Sequence, residues 1–370
     1  VHPATRHDGL FSLLLLLPAV ALLWVCRTVG PASFRPLFGD QPFHPVLLVA
    51  AVLAAMLVHE AGHLLASLLL GFRILGGALG PLQIQRQPGE CKASWSWKTL
   101  FTASISAIPR SMHHWRPALM TVILAGPVAT LLGGLLAATR RSSEVQAYFV
   151  QVSMLLFFLG LIPNGRRARR PNDARLLLDL LCRHSGAEEM ELRVRLKQHA
   201  LAGDRPQDYP RDLLARLSAF RGRPEGEALF ANALAQWALD SDHIERAGEW
   251  DMKALAAAES CGGPIHNSVL AWSASFDILF RNDRESARTK LSQVDEDALF
   301  PSCVAYRTRA ARQLAWGRLH RVSAHIIRAQ YALPRGNGHY ALERSLLERM
   351  HMLALTAERA QQTKFKMASA

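Results

Sequence analysis

Pro45–Gly71 is apolar throughout except for one polar cluster, His59-Glu60-Ala61-Gly62-His63. The run exceeds the ~20 residues that a helix needs to cross a bilayer. Three ionisable side chains at lipid depth are costly, so neighbouring segments must supply partners for them. Residues four apart share a helix face, so His59 and His63 can bind one metal ion. Glu60 is then close enough to take a proton from water at that metal. Three further stretches are near span length: Leu10–Cys26, Pro117–Thr139 and about Gln146–Pro163. A polytopic helical core of about four spans is therefore expected. For Leu10–Cys26 a cleaved signal peptide, with Arg6 as its basic end, is the alternative reading.

The net charge of +13 is unevenly spread: residues 1–182 carry 16 Lys/Arg against 7 Asp/Glu, and residues 183–370 carry 27 against 23. Basicity concentrated among apolar runs marks cytoplasmic loops, not a nucleic-acid surface. With the N-terminus inside, segments 1–9, 72–116 and 163–170 hold 11 Lys/Arg, and the outside loops 27–44 and 140–145 hold 4. Both termini are then cytoplasmic. Arg166, Arg167, Arg169 and Arg170 could also touch anionic lipid. The five scattered cysteines contain no CxxC pair, which argues against a disulfide scaffold or a cysteine zinc ribbon. Arg outnumbers Lys 36 to 7, which points to a bacterial gene and an inner or plasma membrane.

Between the second and third spans, Leu82–Gln85 and Ala93–Lys98 alternate apolar with polar around Pro88-Gly89-Glu90. A small β-hairpin insertion is predicted there. After about Arg183 hydropathy falls, and residues 183–211 read as a linker. Residues 212–370 read as paired helices, with Leu229–Leu239, Val269–Phe280 and Tyr306–Trp316 each followed by a second helix. The second helices align through Ala247, Ala287 and Ala324, which suggests a soluble tetratricopeptide-like repeat domain capped near Tyr340–Gln361. The fold class is thus mainly α. Residues 1–44 form a first transmembrane segment with its outside loop, 45–182 the intramembrane core, and 212–370 the cytoplasmic domain.

A catalytic zinc takes three protein ligands and keeps one position open. Beyond His59 and His63, the candidates are Asp173, the His113-His114 pair and Asp179. Asp173 opens the short apolar stretch Ala174–Leu181 just beyond the fourth span. His113 and His114 fall in an exposed-looking loop.

The HExxH cluster inside a span resembles the site-2 protease family of intramembrane zinc metalloproteases. Residues 72–86, with Gly80-Pro81, are similar to the β-rich region after that family's motif helix. Ala125-Gly126-Pro127 is similar to its AGP segment. Leu161-Ile162-Pro163 with Asn172-Asp173-Ala174 resembles its NxxP…DG segment. The resemblance covers about residues 45–182. It implies a three-helix core, one zinc ion held by His59, His63 and Asp173, and cleavage of membrane-embedded substrates with Glu60 as the general base. Three positions depart from the pattern: Thr130 where Asn often follows AGP, Gly160 where Asn precedes the proline, and Ala174 where Gly follows the ligand. Asn164 and Asn172 are the candidate replacements for the missing asparagines.

The expected function is hydrolysis of peptide bonds in a single-pass membrane protein or precursor peptide. The helical domain would bind a cytoplasmic protein partner. Two rival readings are a catalytically inactive membrane-anchored scaffold and a metal-dependent transporter lined by His59, Glu60 and His63.

Overall fold

The computed structural model describes residues 44–87, 90–95, 97, 103–139, 144–163, 172–182, 185–261, 263–299, 301–334 and 337–369. It is mainly helical, with one small antiparallel sheet, and divides into two compact units. The first holds the described residues to Arg86 together with Lys92–Ala187; the second holds Gln87–Cys91 and the residues from Glu188 onward. The stretch Leu10–Cys26, the arginines 166–170 and Asn164 lie outside the described residues.

Three helices of the first unit are long and apolar enough to cross a membrane: α1 (Pro45–Leu69), α2 (Trp115–Thr139) and α3 (Glu144–Leu161). Their outward faces expose Leu65, Leu68, Leu132, Leu136 and Leu155, as a lipid-facing surface would. Their inward faces are lined by small residues. A Cβ on Gly62 would collide with the Ala125 carbonyl and the Ala129 side chain, so α1 and α2 touch nearly backbone to backbone. Gly133 approaches Val58, and Gly134 approaches Ser153 of α3, by the same means. Two alanines of α1, Ala51 and Ala55, pack against Val152 of α3.

The insertion between α1 and α2 is larger than a hairpin. Four strands, β1 (Arg73–Leu79), β2 (Leu82–Gln87), β3 (Glu90–Trp95) and β4 (Ala103–Ile108), form a sheet of order β3-β2-β1-β4. The two alternating stretches fall in β2 and β3. Strands β1 and β4 escape a periodicity reading: β1 is interrupted by Gly76-Gly77, and β4 sets alanine and isoleucine among serines. Gly76 has a φ of +154° at a register irregularity, where a Cβ would overlap the Ile84 carbonyl. A short helix, α4 (Asp173–Leu181), completes the unit, burying Ala174, Leu178 and Leu180.

The stretch read as a linker is largely helical: α5 spans Ser185–Ala202, followed by a 3-10 turn at Pro206–Asp208. Its Glu189 is buried and paired with Arg193 and Arg223, which is why a charged segment joins the packed unit. Helices α6 (Arg211–Ala219), α7 (Pro224–Asp240), α8 (Ile244–Ala258), α9 (Gly263–Phe276), α10 (Arg284–Ser292), α11 (Ser302–Ala315), α12 (Val322–Ala332) and α13 (Ala341–Ser369) follow. Alanines fill the crossings: Ala228 and Ala231 of α7 meet Ala254 and Ala258 of α8. Ala247 and Ala287 are fully buried, but Ala324 is exposed, and Val322 and Ile326 occupy the core instead. The alignment of the second helices through alanine therefore fails at its third member.

A buried charge network ties α8, α9 and α10 together. Asp277 accepts from Arg281, Ser286 and Lys290, while Asp251 accepts from Ser273 and Arg281. Removing one member of a buried ion pair leaves its partner uncompensated. Asp277→Ala should destabilise the helical unit by about 3 kcal/mol, or roughly 10 °C in melting followed by circular dichroism. An unchanged melt would show that the network contributes nothing to stability.

Candidate metal centre

His59 and His63 project from α1 one helical turn apart, ten and six residues before its last residue, Leu69. Their rings stand nearly perpendicular, at 84°, with centroids 4.8 Å apart. The first residue of α4, Asp173, reaches both: its Oδ2 lies 3.0 Å from His59 Nε2 and 3.3 Å from His63 Nε2. The two Nε2 atoms are 3.2 Å apart.

The outer nitrogens fix which atoms face inward. His63 Nδ1 lies 2.7 Å from the Val122 carbonyl, which can only accept a hydrogen bond. Nδ1 therefore carries the proton, and a neutral ring points an Nε2 lone pair at Asp173. Thr130 Oγ1 donates to the Gly126 carbonyl and lies 3.0 Å from His59 Nδ1, which donates to it. In a neutral His59 ring, Nε2 is likewise a lone pair. With both rings neutral, three acceptors converge there. Ligands of a tetrahedral zinc at 2.0–2.1 Å stand about 3.3 Å apart, so the observed triangle suits one such cation. Gly126 makes room for the His63 ring, because a Cβ there would collide with the imidazole.

Glu60 is adjacent, and its Oε2 is buried without a hydrogen-bond partner among the described residues. His59, Glu60 and His63 each present a ligand atom within 4.8 Å of the others.

Asp173 is held at this spot by its neighbour. Asn172 caps α4, accepting from the Arg175 backbone N–H, and its amide donates to the Ile162 carbonyl at the end of α3. That pairing pins the start of α4 to the end of α3. It also makes Asn172, one of the two candidate replacements for the missing asparagines, a clamp on the backbone. Of the other candidate ligands, Asp179 is buried against Arg175 at 2.7 Å. His113 and His114 are exposed and meet each other edge-on, with ring centroids 3.8 Å apart. Neither is brought to the cluster. Sequence reading did not anticipate Val122, or Thr130 as a partner of His59; a backbone acceptor leaves no side-chain signature.

Compared with protein-family models, curated proteins and solved structures, the chain matches none.

If Asp173 is the third ligand, Asp173→Ala should lower zinc affinity by more than about 100-fold, beyond the loss of an outer-shell contact. His113→Ala should leave it unchanged. Chelator competition on the purified chain measures both; zinc retained without Asp173 would refute the assignment.

Proposed function

We propose that the chain is an intramembrane zinc endopeptidase that resembles the site-2 protease family and cleaves membrane-embedded protein or precursor-peptide substrates. The observation that carries this reading is the convergence of His59 Nε2, His63 Nε2 and Asp173 Oδ2 beside a buried, unpartnered Glu60 carboxylate oxygen. Those parts match metal-assisted peptide hydrolysis. Zinc, when bound, supplies the positive charge that acidifies water and polarises the scissile carbonyl. His59, His63 and Asp173 hold that charge. Glu60 Oε2 takes the proton of the attacking water and passes it to the leaving amine.

A helical substrate must unwind before its peptide bonds are reachable. The outer strand β4 packs beside α1 and, among the described residues, pairs only with β1. Its free edge suits an unwound segment as an added strand. Exposed Trp95 and Trp97 suit the lipid interface. The full architecture in this reading has four spans, a multi-pass topology in a bacterial membrane with both termini cytoplasmic, and a tetratricopeptide-like domain that selects substrates or binds a cytoplasmic partner.

Glu60→Gln tests the reading. It removes the base and leaves every proposed ligand in place. Cleavage of a reconstituted transmembrane peptide should fall by about a thousand-fold or more with zinc content unchanged. Undiminished cleavage at equal zinc would remove Glu60 from the chemistry. No cleavage by the parent chain, despite bound zinc, would favour the scaffold.

A further inference from the structure

Residues 122, 126 and 130 lie four apart, so they form one stripe along α2. Each meets a different part of the histidine pair. The Val122 carbonyl accepts from His63 Nδ1 at 2.7 Å. Gly126 leaves the space that the His63 ring fills. Thr130 accepts from His59 Nδ1 at 3.0 Å.

Thr130 is fully buried, and its hydroxyl has a single proton. That proton goes to the Gly126 carbonyl one turn back, at 3.0 Å. With that proton so placed, the oxygen accepts from His59 Nδ1, which favours the tautomer with its proton on that nitrogen. Valine has nearly the same shape but offers no acceptor. A serine keeps the acceptor and loses only a methyl group.

We propose that this stripe of α2 is the orienting shell of the histidine pair, with Thr130 as a positioning residue that holds the His59 lone pair toward the metal. The proposal rests on the reading of the cluster as a metal centre. Val122 and Gly126 act through backbone and through absence of a side chain, so Thr130 is the member that substitution can probe. Outer partners of ligating histidines fix ring orientation and raise ligand basicity, and their loss costs 10–100-fold in metal affinity in other systems.

The test uses the full chain in detergent with zinc or cobalt(II) as the probe, and affinity read by chelator competition. Thr130→Val should weaken binding by roughly 10–100-fold, and Thr130→Ser should stay close to the parent. Cobalt-loaded Thr130→Val at saturation should also show a shifted ligand-field spectrum. Equal affinity in Thr130→Val would overturn the proposal, as would a Thr130→Ser chain that loses metal as badly as Thr130→Val, since packing would then be responsible. The parent alone gives an independent reading: imidazole nitrogen NMR should find Nδ1 protonated on both rings. A His59 ring protonated on Nε2 would overturn the proposal whatever the variants do. Failure of the metal reading is recognised separately, by a parent chain that binds neither metal or by Asp173→Ala and His59→Ala chains that bind as tightly as the parent.

Discussion

A methyl group at Gly62 would strike the backbone of α2, and one at Gly126 would strike the His63 ring. The approach of α1 and α2 at these two glycines sets everything around the site. It lets one face of α1 present two imidazoles while the facing stripe of α2 reads their outer nitrogens. Without it, the Val122 carbonyl and the Thr130 hydroxyl could not reach His63 and His59. In lipid there is little hydrophobic gain from joining two apolar helices, so close van der Waals contact through small residues is what holds such a pair together. The same small residues therefore serve packing and ligand orientation.

The position of Asp173 depends on a second constraint. It sits at the first residue of a helix, where its backbone is fixed by the Asn172 cap, and the Asn172 amide bonds the last turn region of α3. The carboxylate is delivered by backbone geometry and not by a long flexible side chain. This arrangement brings an acceptor to two other acceptors at 3.0–3.3 Å. Inside a low-dielectric core such a group of lone pairs repels itself unless a cation or proton lies among them. The surrounding hydrogen bonds hold the outer nitrogens as donors, which leaves the space between the inner atoms for positive charge.

Much of this was legible in the residues. The three helices long and apolar enough to cross a membrane, and the helices from Pro224 onward, follow hydropathy and periodicity. His59 and His63 share a face by spacing alone. Asp173 was singled out over Asp179 by the family resemblance, and the fold commits Asp179 to Arg175. The resemblance pointed to the region of β1 and β2, whereas β4 was hidden by its serines and α5 by its charge, which is satisfied through ion pairs that no local pattern announces. Ala324 failed as a marker because small size alone does not say which way a helix turns. Thr130 read from the sequence as a departure from a motif; in the fold it is the hydrogen-bond partner of His59.

The central claim is that α1, α2 and α4 assemble one cation site from two imidazoles and one carboxylate. X-ray absorption at the zinc edge of the purified full chain tests it most directly. The account predicts one zinc with nitrogen and oxygen neighbours at about 2.0–2.1 Å, two imidazole scattering patterns and no sulfur. A sulfur shell at about 2.3 Å, from residues such as Cys91 or Cys182, or a single imidazole, would contradict it.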